Sequence, residues 1–234
     1  IISPAAAETS PIMVGTVDGH EDERRVRVAD LVLRLRRAGI SDRRTVAAIE
    51  AVPRDVFVPG ESRADAYAER ALPIDCGQTI SAPLIVAMMT AALDVGERDK
   101  VLEIGTGTGY QTAVPARLAR RVYTIDRFRT LVAAAESRFR TLRIGNITTL
   151  VGDGTKGWPE QAPFDRIMVT AACEEIPDVL LKQLRIGGVM VLPVGPAEDV
   201  QKLLRIVRTE NGPAITELAD VRFVPLIPGK AARL

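Results

Sequence analysis

The chain has 234 residues, 47% of them hydrophobic, which is ample for one sizeable core; 31 basic and 30 acidic side chains leave a net charge of +1. So even a balance creates no single-sign field, which argues against nucleic acid or a polybasic membrane surface as partner, and no run approaches the ~20 apolar residues of a membrane span. The lone histidine, His20, cannot supply a multi-histidine metal centre, and a Ser-His-Asp triad or a Cys-His pair would have only that residue to draw on. The expected chemistry therefore uses neither a metal nor an imidazole base.

Residues 1–20, rich in Ala, Ser, Pro and Gly, lack the basic start and apolar core of a secretory signal and read as a mobile tail. A helix is expected from Asp22 to Arg37, with Val26, Ala29, Val32 and Leu33 facing inward and the arginines at 24, 25, 27, 34, 36 and 37 on a solvated face. Gly39 ends it, Ser41 caps a second helix reaching Val52, and Pro53 stops that one. An irregular stretch from Arg54 to Thr79 contains Cys76. Ser81 then reads as the N-cap of a helix through Leu93, with Pro83 in its first turn.

From Lys100 the pattern alternates. Strands are expected at 101–104, 122–125, 148–152, 164–172 and 188–195, with helices at 109–120, 128–141 and near 177–184 between them. Strands alternating with helices predict a doubly wound, mostly parallel α/β sheet. Strands at 202–209 and 216–226 flank an Asn211-Gly212-Pro213 turn, so the C-terminal edge is expected to be antiparallel. Cys76 and Cys173, far apart in sequence, read as free thiols of a reducing compartment, close to whatever channel the strand ends form.

The strongest motif is Val101-Leu102-Glu103-Ile104-Gly105-Thr106-Gly107-Thr108-Gly109. A strand feeds a turn in which three glycines let the backbone approach a ligand, and a helix follows. The spacing is G-x-G-x-G and position 110 is Tyr, so the dinucleotide fingerprint fails. Glu103 stands where an acid can face a cation; S-adenosylmethionine carries a sulfonium and an ammonium, whereas NAD presents a pyrophosphate that an acid would repel. Asp126, at the tip of the second strand before Arg127 and about twenty residues on, suits the ribose hydroxyls or, alternatively, caps the next helix. In Gly152-Asp153-Gly154, Asp153 suits an adenine amino group or serves as a turn residue. Three acids at three successive strand ends predict a nucleoside site for S-adenosylmethionine.

Further motifs bring in a family. Val52-Pro53-Arg54, Phe57-Val58-Pro59, Ala71-Leu72-Pro73-Ile74, Gly77-Gln78-Thr79-Ile80-Ser81, Val151-Gly152-Asp153-Gly154-Thr155, Gly157-Trp158, Phe164-Asp165, Val169-Thr170-Ala171-Ala172, Leu192-Pro193-Val194-Gly195 and Phe223-Val224-Pro225-Leu226 together resemble the protein-L-isoaspartate O-methyltransferases, over about residues 22–227. The resemblance implies a Rossmann-like class I S-adenosylmethionine methyltransferase, with an N-terminal substrate-side part at 21–80 and the core at 81–234. It implies that Gln78, Thr79, Ile80 and Ser81 close over donor and acceptor, with Thr170 on the donor side. The acceptor side would be Thr79, Ser81, Ala82, Ala171, Ala172, Val221 and Val224, and the catalytic residue Ser81. Asp75 and Cys173-Glu174 depart from the family pattern and bear on peptide selectivity; Trp158 reads as a core or lid aromatic.

The implied reaction is a direct displacement onto an isoaspartyl carboxylate in a damaged protein, already ionised near neutrality and needing no base. The ester then closes to a succinimide, whose hydrolysis returns some normal aspartate. Two alternatives are a tailoring enzyme for one dedicated peptide and a non-catalytic binding module. The implied partners are isoaspartyl peptides and proteins, and the chain is expected to act as a cytoplasmic monomer.

Overall fold

The computed structural model describes residues 17–231. Most of the expected N-terminal tail lies outside that span, and the helix α1 (Val17–Arg37) begins earlier than the expected Asp22. Its inward residues are Leu31 and Leu35, assisted by Val28 and Val32, whereas Val26, Ala29 and Leu33 are exposed. Apolar residues surround much of this helix, so two phases of the i, i+3, i+4 pattern were available and packing chose the other one. Gly39, at φ +90°, ends the helix, with Ile40 N–H donating to Leu35 O. Helix α2 (Arg43–Glu50) is capped by Asp42, not Ser41; the Asp42 carboxylate accepts from the Arg44 and Thr45 N–H groups.

A short ladder pairs β1 (Leu72–Pro73) with β2 (Thr79–Ile80), and α3 follows at Pro83–Leu93. The main sheet contains β3 (Lys100–Ile104), β4 (Arg121–Asp126), β5 (Ile147–Val151), β6 (Phe164–Val169), β7 (Leu184–Val194), β8 (Gln201–Thr209) and β9 (Gly212–Val221). Between them lie α4 (Tyr110–Ala116), α5 (Arg129–Thr141) and α6 (Asp178–Gln183). The helix expected to run to Arg120 stops at Ala116, just after Pro115 within it.

Strand order is β5-β4-β3-β6-β7-β8-β9, parallel as far as β7 and antiparallel beyond it. The doubly wound sheet and its antiparallel edge are as expected. The final strand is displaced: it starts at Gly212, tightly paired to Thr209, and ends at Val221 rather than Leu226.

Both faces of the sheet are covered, which is why its central strands read as nearly continuous apolar runs. Val101, Val122, Met168 and Val191 pack with residues of α1 to α4 in one cluster. Leu102, Ile104, Ile125, Ile167 and Met190 pack in a second cluster with Leu180 of α6 and Trp158, whose ring meets Tyr123 edge-on at 5.4 Å. Neighbouring residues of β3 therefore serve opposite faces. The chain winds outward from β3 to β5 and returns on the other side of β3, so the carboxyl ends of β3 and β6 flank a topological switch point.

Candidate active site

At that switch point the chain makes the glycine turn. Gly105, Gly107 and Gly109 have φ +101°, +52° and +90°, a region that side chains with a Cβ rarely enter. Gly105 is excluded from substitution twice over, because a Cβ there would come within 2.3 Å of Thr170 Oγ1. Thr170 donates that hydroxyl to Ile104 O at 2.9 Å or Gly105 O at 2.8 Å, tying the end of β6 to the turn.

A cleft open to solvent lies beside the turn. It is lined by Gln78 and Thr79, by Val224 to Ile227, and by Gly105, Gly107, Gly154, Thr170 and Ala171, with Ile104, Ile125 and Phe128 among its apolar lining. Asp126 and Arg127 supply the charge. Asp126 Oδ2 accepts from Gly107 N–H at 2.8 Å and Oδ1 from Phe128 N–H at 3.0 Å. Burial raises the Asp126 pKa above the usual carboxylate range, against the opposing pull of these backbone donors. Asp126 thus braces the segment entering α5, whose N-cap is Phe128 rather than Asp126 itself, and it lines the cleft.

Glu103 is a correction. It points to the sheet face opposite Ile104, is 1% exposed and does not line the cleft. Its Oε2 accepts from Thr112 Oγ1 and, at 2.9 Å, from Thr124 Oγ1, while Oε1 has no partner. Burial pushes its pKa up to about 8, despite the two threonines. Asp153 plays the turn role that the sequence allows, its Oδ1 accepting from the Thr155 N–H and hydroxyl, while the adjacent Gly154 borders the cleft. Burial alone would raise the Asp153 pKa, but bonds from Thr155 and the Gly229 N–H hold it below the usual range.

On the acceptor side, α3 begins at Pro83 after Ala82, so Ser81 is not its cap. The first-turn N–H of Leu84 is taken by Glu69 Oε1 at 2.9 Å, so a carboxylate of the chain itself serves the N-terminus of α3. Ser81 is partly exposed, and its carbonyl accepts from Arg54 Nη2 at 2.6 Å.

Of the expected site residues, the structure gathers Gln78, Thr79, Gly105, Gly107, Asp126, Arg127, Gly154, Thr170, Ala171 and Val224 around one cleft. Ile80, Thr106, Thr108, Ala172 and Val221 are buried and, like Gly109, Gly152, Ser81 and Ala82, lie outside its lining. Gly109 instead packs against the Phe139 ring, where a Cβ would sit 2.7 Å away. Neither thiol lines the cleft: Cys76 Sγ meets Thr130 Oγ1 at 3.4 Å, and Cys173 is buried, with its pKa pushed up to about 11. Sequence reading missed Ile104, Ile125, Phe128, Pro225, Leu226 and Ile227. Strand alternation would have exposed the first two, since each is the apolar neighbour of a polar residue at a strand tip.

A parallel sheet wound to both sides of β3, with a G-x-G-x-G turn in place of the dinucleotide fingerprint, defines the class: Rossmann-like class I S-adenosylmethionine methyltransferases. Comparison narrows it. The family model for "Protein-L-isoaspartate(D-aspartate) O-methyltransferase (PCMT)" matches residues 26–231. Protein-L-isoaspartate O-methyltransferases of Maricaulis maris and Paracoccus denitrificans are 56% and 57% identical, covering 89% and 91% of this chain and 97% of each relative. A solved protein-L-isoaspartate O-methyltransferase superposes with a TM-score of 0.77 at 27% identity, over 85% of this chain and 65% of that one. A Plasmodium falciparum structure in complex with S-adenosyl-L-homocysteine, 24% identical, shares the fold with a TM-score of 0.73 over 85% of this chain and 97% of that one. The chain belongs to the protein-L-isoaspartate O-methyltransferase family.

Proposed function

We propose that the chain transfers the methyl group of S-adenosylmethionine to the side-chain carboxylate of L-isoaspartyl residues in damaged proteins, opening their repair through a succinimide. The observation that carries this reading, beside family membership, is the single cleft joining the glycine turn, Asp126 and the Gln78-Thr79 loop. Its chemistry fits a nucleoside donor. Asp126 has lone pairs left for ribose hydroxyls, Ile104, Ile125 and Phe128 offer apolar surface to a base, and the face of Gly107 is open apart from Ile74 Cδ1. Arg127 Nε, buried and without a partner among the described residues, is a further donor on that wall.

When bound, S-adenosylmethionine supplies an electrophilic methyl on a sulfonium. The chain's own task is alignment and exclusion of water. Ser81 is proposed to orient the acceptor carboxylate with its hydroxyl, and Thr79, Ala171 and Val224 to line the approach. Val224 to Ile227 cover the donor side. Glu103 supports the turn from below through Thr112 and Thr124. No base is required of the protein, because the acceptor is already ionised at neutral pH.

We further propose that residues 21–80 form the substrate-side part and 81–234 the core, and that the chain acts as a cytoplasmic monomer without nucleic acid. The near-zero net charge supports the last point. Among the described residues no helix is long and apolar enough to cross a membrane. The test of the activity is methyl transfer to matched peptides that differ only in isoaspartate or aspartate. Transfer to the isoaspartyl peptide alone is expected; equal transfer to both would defeat the repair reading.

A further inference from the structure

Arg54 is among the largest fully buried side chains in the protein, and no carboxylate among the described residues lies within ion-pair distance of it. Its Nε donates to Ala66 O and its Nη2 to Ser81 O, both at 2.6 Å, while Nη1 makes no hydrogen bond. The guanidinium lies 4.8 Å from the ring centroid of Tyr110, the first residue of α4 after the glycine turn. One side chain thus joins the N-terminal segment, the acceptor loop and the helix leaving the donor turn. The Ser81 carbonyl needs this donor. Intrahelical bonding in α3 starts at Ala82 O, which accepts from Val86 N–H, so the carbonyl before it must be satisfied from elsewhere.

Burying a guanidinium without a counter-ion is costly, and an apolar side chain of similar volume would fill the space without that cost. A local rule broken this plainly belongs with function more often than with stability. We infer that Arg54 is a positioning residue of the acceptor site: it fixes the Ser81 main chain so that the serine hydroxyl meets the acceptor carboxylate, and its unpaired charge favours an anion there. The inference rests on the proposed acceptor role of Ser81. Burial lowers the Arg54 pKa from its usual value; Glu69, whose carboxylate accepts from Leu84 N–H at the N-terminus of α3, opposes that shift only from beyond ion-pair range and leaves the guanidinium without a direct counter-ion.

The planar fork of arginine makes two directed bonds at once, which an ammonium cannot reproduce. Arg54→Lys keeps the charge and loses the fork; Arg54→Met loses both. For each variant, for Ser81→Ala and for the Arg54→Lys/Ser81→Ala double variant, kcat and KM for an isoaspartyl peptide are measured beside S-adenosylhomocysteine affinity. Arg54→Lys is expected to lower kcat by about tenfold or more while donor affinity stays within about twofold. The double variant should be no slower than Ser81→Ala beyond about twofold, because Arg54 acts through Ser81. Arg54→Met should also raise KM. Multiplying losses in the double variant, with Ser81→Ala itself slow, overturn the inference alone; full turnover by Ser81→Ala removes the acceptor role of Ser81 and this inference with it. A measurement on the wild type is independent of variant folding: the 15N-resolved Nε–H signal of Arg54, with S-adenosylhomocysteine saturating. It should shift on adding the isoaspartyl peptide and not its aspartyl twin, and an unmoved signal also overturns the inference.

Discussion

Gly107 donates its backbone N–H to Asp126 Oδ2 at 2.8 Å, so the glycine turn after β3 and the tip of β4 are latched by a carboxylate that also faces the cleft. The same carboxylate accepts from Phe128 N–H at the entry to α5. Donor geometry and local backbone stability therefore depend on one side chain.

Asp126→Ala should weaken S-adenosylmethionine and S-adenosylhomocysteine alike by ~1–3 kcal/mol, through loss of charge-assisted bonds to ribose. Calorimetry reads this directly. The melting temperature should fall as well, since two backbone donors lose their acceptor. NAD should give no heat with either protein, and comparable NAD affinity would contradict the donor assignment.

Glu103 predicts a pH signature. Its folded pKa of about 8 stands above the ordinary 4.5, because burial disfavours the charged form. The folded state therefore holds a proton that the unfolded chain releases, and stability declines as pH rises from about 4.5 to about 8. Below that window the contribution is present in full. Glu103→Gln, which cannot ionise, should flatten the decline in denaturant titrations between those limits. An identical pH slope in both proteins would show that the carboxyl does not stay protonated.

Gly105→Ala should be among the most damaging single changes. The residue sits at φ +101°, and the added methyl would lie 2.3 Å from Thr170 Oγ1. Thr170 must shift, breaking its bonds to the carbonyls of Ile104 and Gly105. A melting temperature lowered by several degrees, with loss of S-adenosylhomocysteine binding at micromolar concentrations, is expected. An unchanged melting curve would refute the close contact.

Ser81→Ala separates orientation from capping. Because Ala82, not Ser81, precedes α3, the melting temperature should hardly move, while isoaspartyl methylation falls by an order of magnitude or more. Donor affinity should be retained, since Ser81 is not in the lining of the donor cleft. Asp42→Ala is the contrasting control: it removes a true cap, with a cost of ~0.5–2 kcal/mol and no effect on turnover per folded molecule.

Much of the donor half was legible in the chain. The glycine turn and the acid at the next strand tip are close in sequence, and each is placed by one strand ending and one helix beginning. Where a face or a register decides, local sequence is ambiguous. Glu103 neighbours the glycines, but a strand turns successive side chains to opposite faces, and Ile104 takes the cleft side. Ser81 is of a residue type that favours helix caps, but the helix starts one residue later and Glu69 serves its N-terminus.

By itself the sequence determined the winding of the sheet, the antiparallel edge, the glycine turn and the family, because each is written in local patterns of apolar periodicity, glycine placement and contiguous motifs. Only the tertiary structure decided that Val224 to Ile227 close the cleft, that Glu103 lies buried beneath the turn, and that Arg54 grips the Ser81 carbonyl. Those relationships join residues far apart in the chain, and their geometry is set by which faces pack together. Ala172 N–H donates to Val224 O and Leu226 N–H to Ala172 O, both at 2.8 Å, and so the segment after β9 is drawn over the strand tips. A backbone bond of that kind leaves no mark in residue type, since every residue but proline offers the same donor and acceptor.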